Sequence, residues 1–151
     1  LGLTYHALGD YEGARSIQTE ALRLAQEVQD YSFIPVSQCH LAFHHYAQGE
    51  LALAKEGFTT ALVEAQRFSL LSSVAHSIAG LGLVAAAEGL ASRAVTLLTF
   101  GLALPGAYIN FLLGEPQRVL AKLRTELSPG DFAAAEARAG EMEIASLIAW
   151  I

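Results

Sequence analysis

The sequence predicts an all-α chain built from antiparallel helix pairs, and three observations carry that expectation. Residues recur at a spacing of forty: Leu1, Leu41 and Leu81 are in register, as are Gly2, Ala42 and Gly82, then Gly9, Gly49 and Gly89. Ala14, Ala54 and Ala94 follow, with Ala21, Ala61 and Gly101, and Leu22, Leu62 and Leu102. A fixed period of this length marks a helical repeat array, whose units bury their apolar faces by stacking on one another. Apolar residues also return at helical spacing, as in Ala14, Ile17, Ala21, Leu24, Ala25 and Val28. Finally, each pair is interrupted by glycine plus one residue, Gly9-Asp10, Gly49-Glu50 and Gly89-Leu90. Glycine suits the position after a helix because it takes the left-handed conformation without a Cβ clash. Links this short force neighbouring helices antiparallel.

Taken in order, Leu1 to Leu8 reads as the end of a first helix and Tyr11 to Val28 as its partner. The second repeat predicts helices over 31–48 and 51–67, the third over 70–88 and 90–104. Small residues at Gly2, Ala42 and Gly82, and at Ala14, Ala54 and Ala94, are expected to let the two helices of a pair approach closely. Pro105-Gly106 ends the repeat, and a short apolar piece, 107–113, follows. Pro116 then sits where a first helical turn tolerates it, and Val119, Leu120, Leu123 and Leu127 form one apolar stripe. Arg118, Lys122, Arg124 and Glu126 fall largely off that stripe. Ser128-Pro129-Gly130-Asp131 reads as a new helix start with Ser128 as its cap, and that helix ends at Gly140. Ile144, Leu147, Ile148 and Ile151 suggest a last short helix. Residues 1–106 are thus expected to form three helical hairpins, the first truncated at its N-terminus. Residues 107–151 are expected to cap them, all in one compact domain that reads as a fragment of a larger protein.

Composition narrows the function classes. The chain is 53% apolar and only 16% charged, which suggests helices packed on more than one side. A net charge of −6 argues against a nucleic-acid surface, which needs a basic stripe. The single cysteine, Cys39, cannot form an intramolecular disulfide, so a reducing, cytoplasmic setting is the expectation. Two uncharged stretches, 68–87 and 94–114, reach the length of a bilayer span. Both carry internal polar residues and the same forty-residue signature as the charged first repeat, so buried helices are preferred to a membrane hairpin.

The pattern resembles tetratricopeptide repeats, most closely at Leu1-Gly2, Tyr5, Gly9-Asp10-Tyr11, Ala14 and Ala21. The longer, forty-residue form is similar to the repeats of large bacterial signalling ATPases, including LuxR-type and MalT-like transcriptional regulators. The run Arg93-Ala94-Val95-Thr96-Leu97-Leu98, then Pro116-Gln117-Arg118, the stretch 120–127, Phe132-Ala133-Ala134-Ala135 and Gly140 resembles the end of their helical sensor region. There are departures: His45 and Ala85 replace the aromatic at Tyr5, and Gln18 stands where Phe58 and Leu98 are large and apolar. The resemblance implies a right-handed superhelix and a sensing or scaffolding role, with an ATPase domain preceding and a helix-turn-helix often following. No Gly-x-x-x-x-Gly-Lys loop occurs in this chain, and neither Lys55 nor Lys122 has the glycines that phosphate cradling requires.

Few residues invite chemistry. His40 and His44 are four apart on one helix face, with His45 adjacent, and His76 comes from the next repeat. Two such rings can share a metal, but no Cys, Asp or Glu lies at a completing spacing, so packed or solvated histidines are the expectation. Cys39 lies beside His40 without a nucleophile elbow or a third partner, and buried cysteine is the common case. No enzyme, metal or cofactor is therefore expected. A binding groove is the better reading. In tetratricopeptide arrays the first helix of each pair lines the concave surface. That register places Leu3 and His6 there, with Val36, Cys39, Phe43 and Tyr46 from the second repeat and His76, Ala79 and Leu83 from the third. An apolar strip with an occasional His or Tyr suits an extended peptide, a partner helix or a small-molecule effector. The same residues could equally pack against the tail helices. Self-association is expected through the truncated N-terminal face around Leu1, Leu3, Tyr5 and Leu8.

Overall fold

The computed structural model describes residues 10–106, 114–145 and 147. The chain is all-α: the described residues form seven helices and no strand. These are α1 (Tyr11–Glu27), α2 (Ile34–Ala47), α3 (Leu51–Arg67), α4 (Leu71–Ala87), α5 (Ala91–Ala103), α6 (Glu115–Glu126) and α7 (Pro129–Gly140). Residues 144, 145 and 147 are also helical. The expected helix over 1–8, the piece 107–113, and Ile148 and Ile151 lie outside the described residues, as does the expected self-association face.

The four turns from α1 to α5 share one construction. Gln29, Gly49, Ser69 and Gly89 all have positive φ, at 56°, 78°, 56° and 78°. After each, the next backbone N–H donates back across the last helical turn: Asp30 to Ala25 O, Glu50 to His45 O, Leu70 to Ala65 O and Leu90 to Ala85 O, at 2.8–2.9 Å. This satisfies carbonyls that the helix end would otherwise leave without donors. The glycines at 49 and 89 were legible in the sequence. The non-glycine residues at 29 and 69 adopt the same left-handed backbone at a penalty of about 1–2 kcal/mol each.

One helix start differs from expectation. The second-repeat helix begins at Ile34 rather than Tyr31, because the Asp30 carboxylate accepts from the N–H groups of Ser32 and Phe33 and from Ser32 Oγ. That side-chain turn holds 31–33 apart from the helix, and Pro35 then occupies the tolerant first turn. The tail starts agree with expectation. Pro116 sits in the first turn of α6, and Ser128 Oγ accepts from the Asp131 N–H at 3.2 Å at the start of α7.

Each helix packs on the next in sequence, and α2 also touches α4 directly. The core centres on α4, where every residue from Ser73 to Ala85 is buried. Such a helix needs neighbours on all sides, and α2, α3, α5 and α6 all contact it. None of the described helices is long and apolar enough to cross a membrane. The small positions sit at close approaches. A Cβ on Gly82 would lie 2.8 Å from Leu98 Cγ, and one on Gly57 would lie 2.9 Å from the Ala42 Cβ. Ala14, Ala54 and Ala94 are fully buried. The tail joins this core rather than trailing from it. Thr96 Oγ1 on α5 lies 3.1 Å from Ala135 O on α7, and the Arg124 guanidinium stacks over Phe132 at 4.8 Å while pairing with Glu136.

Candidate functional site on the inner faces of α2 and α4

Buried polar side chains interrupt the apolar core on α2 and α4. Ser37 and His44 on α2, and Ser73, His76 and Ser77 on α4, are all buried. Ser77 Oγ donates to the Ser73 carbonyl at 2.8 Å, so its oxygen is left to accept from the Cys39 thiol 3.1 Å away. Burial pushes the Cys39 thiol up to about 12, only partly opposed by Ser77. A thiol held neutral in this way is no nucleophile, since the reactive form is the thiolate. Cys39 is expected to resist maleimide in the native chain at neutral pH and to label on unfolding; rapid native labelling would place it at the surface.

His40, His44 and His76 converge on the same seam. Burial pushes His40 down to about 4, and the neighbouring His44 and His76 push the same way. His76 is likewise lowered to about 4 by burial. His40 and His76 are therefore neutral near pH 7, the form that can both donate and accept. Among the described residues, no group of three or more His, Cys, Asp or Glu side chains is placed to hold one metal ion.

At the C-terminal end of α2 the character changes. Phe43 stacks on Tyr46 with ring centroids 6.0 Å apart. Tyr46 is half-buried, and its hydroxyl is raised first by burial, then by Glu115, against an opposing contribution from Arg118. Glu115 and Arg118 form an ion pair in the first turn of α6. The tail helix therefore starts beside the aromatic pair.

Burial separates the nine expected groove residues. Leu3 and His6 lie outside the described residues. Cys39 and Leu83 are fully buried, and Phe43, Ala79 and His76 nearly so. The expected strip is therefore not an open groove along its length: side-by-side packing of α2 and α4 encloses Cys39, Ala79 and Leu83 in the core. Only Val36 and Tyr46 keep partial exposure, each packed against that core. The buried hydroxyls Ser37, Ser73 and Ser77 are site residues that the sequence reading passed over. Ser37 and Ser77 stand forty residues apart, a signal that was present in the register.

A second concavity lies where α3 ends and α4 begins. It is a hollow of about 570 Å³ lined by Gln66, Ser69, Leu71, Val74, Ile144 and Ala145. Gln66 Nε2 donates to the Ile144 carbonyl at 2.9 Å and ties the tail to its rim. Comparison with protein-family models, curated proteins and solved structures finds no match to this chain.

Proposed function

We propose that this chain is a non-catalytic docking module, a tetratricopeptide-like right-handed superhelix of roughly forty-residue helix pairs closed by a helical cap. In this reading it resembles the helical sensor region of bacterial signalling ATPases and of LuxR-type and MalT-like regulators, and it works in the cytoplasm. Its partner is a peptide or a helix of another protein, taken at the Tyr46 end of the inner face. The observation that carries this reading is the half-buried Tyr46, stacked on Phe43 beside the Glu115–Arg118 pair. A rigid aromatic with a polar tip, next to both charge signs, is the kind of residue that anchors protein contacts. The Cys39 thiol, held neutral, accords with binding rather than nucleophilic chemistry.

A peptide selected on the 151-residue chain from a displayed random library tests the proposal. Tyr46→Ala is expected to weaken that peptide about tenfold or more, the usual loss at an aromatic anchor. Equal affinity for mutant and wild type would sink it. Phe43 is nearly fully buried, so its truncation mixes binding with core damage and is the poorer variant.

The apolar hollow at Leu71 and Val74 supports the second reading, a small-molecule effector sensor. Its volume falls within the range of about 300–1,000 Å³ typical of ligand pockets.

A further inference from the structure

The hollow where α3 ends and α4 begins takes its walls from two distant parts of the chain. Val74 is nearly fully buried there, whereas Leu71, in the same lining, is 48% exposed. Ile144 and Ala145 of the tail supply the rest of the apolar surface. The bond from Gln66 Nε2 to the Ile144 carbonyl already fixes the tail against the end of α3. Leu147, fully buried, anchors the tail in the core just beyond.

No charged side chain is among the six described residues that line this hollow. The charged neighbours in sequence lie outside it. Glu143 is not in the lining, and the Arg67 guanidinium is drawn over the Phe68 ring, 5.3 Å from its centroid. Tyr31 stacks on the same ring at 4.7 Å. The polar groups left to the lining are the Gln66 carboxamide and the Ser69 hydroxyl. Gln66 commits Nε2 to the tail, which leaves its oxygen to accept. Ser69 sits in the left-handed turn at an exposed position, where its hydroxyl can donate or accept. A charge entering such a lining would lose water and gain no counter-ion. An apolar body would instead take the exposed face of Leu71 out of water.

We propose that this hollow binds a neutral, largely apolar small molecule with one hydrogen-bonding head group, and that the bound molecule clamps the C-terminal tail to the α3–α4 turn. The proposal rests on the effector-sensor reading of the hollow and is independent of the docking surface at Tyr46. The head group reaches Gln66 Oε1 and Ser69 Oγ, while the body packs on Leu71, Val74 and Ile144. Because the walls come from residues 66–74 and 144–145, the ligand binds the docked tail in preference and shifts the chain toward that state.

Titration of the 151-residue chain with octanol, octanoate and octylammonium, which differ only in head group, tests the site. The readouts are amide chemical shifts at Leu71, Val74 and Ala145, and amide hydrogen exchange at Ile144 and Ala145. Octanol is expected to give saturable shifts and to slow that exchange. Both charged homologues are expected to bind at least about tenfold more weakly. Leu71→Glu is expected to weaken octanol about tenfold or more. That position is exposed and in the first turn of α4, where a carboxylate favours the helix, so the ligand-free melt is retained. If that variant melts early, Ser69→Gly supplies the comparison, because it removes the hydroxyl and relieves a left-handed backbone. Its expected loss is about threefold or more. Three results would overturn the proposal: equal affinity for a charged homologue, unslowed tail exchange with octanol bound, or undiminished affinity in the variant that keeps its melt. Each would leave the effector reading of the hollow standing. No saturable response to any of the three probes would overturn both.

Discussion

Gly80→Ala is expected to destabilise the chain in the wild-type background and to stabilise it once Phe58 is cut to alanine. A Cβ at Gly80 would lie 2.2 Å from Phe58 Cε1 and 2.4 Å from Cδ1 and Cζ, so the aromatic ring is packed directly on the α4 backbone. Ordinary carbon contacts fall at about 3.5–4.0 Å, so the ring must move by more than about 1 Å. Phe58 is fully buried and has nowhere free to go. Overpacking of this kind typically costs about 1–3 kcal/mol. Alanine's helix propensity returns about 1 kcal/mol, which leaves a net loss toward the lower part of that range. Phe58→Ala alone is expected to cost about 3–5 kcal/mol, the largest effect of any single change considered. With the ring gone, the added methyl at Gly80 fills space and gains helix propensity, so its sign reverses. Denaturant melts of the four proteins in the cycle measure the coupling. The same penalty for Gly80→Ala in both backgrounds would show that Phe58 is not what the glycine accommodates.

Acidification is the second large expected effect. His40 and His76 each titrate at about 4 in the folded chain, below the ordinary imidazole value near 6.5. The unfolded chain therefore binds protons first as pH falls. Stability from keeping these rings neutral is fully present above about pH 6.5 and is lost progressively down to about pH 4. His40 is partly exposed, so the shifts are discounted and the pair is assigned about 3 kcal/mol. Carboxylates that ionise near pH 4 leave the interval between pH 6.5 and 5 dominated by histidine. Urea midpoints across that interval should fall in the wild type and fall less steeply in His40→Asn, which leaves only His76 to titrate. An undiminished slope in that variant would assign the acid sensitivity elsewhere.

Both effects sit on residues whose importance the sequence showed unevenly. Phe58 stands in register with Gln18 and Leu98, and all three are buried at one equivalent helix position. Periodicity is enough to find such a position, because a helix turns the same face inward every three or four residues. Gly80 stands in register with His40, and nothing in that pairing signals a ring pressed on its backbone. The spacing of His40 and His44 on one face was legible too, as was the arrival of His76 from the next repeat. Their shared burial was not, since solvent access depends on what covers the face.

By itself, the sequence determined the helices, the glycine turns at 49 and 89, the Ser128 cap, the start of the tail at Pro116 and the need for small residues between paired helices. These are local matters: hydrophobic period, capping chemistry and backbone sterics act within a few residues. Only the tertiary structure decided that Cys39, Ala79 and Leu83 lie inside rather than along an open groove, that α6 starts beside Tyr46, and that Leu71 and Ile144 line one hollow. Those outcomes depend on which helix faces meet across dozens of residues. The period of a single helix specifies that it has a buried face, but not which neighbour buries it.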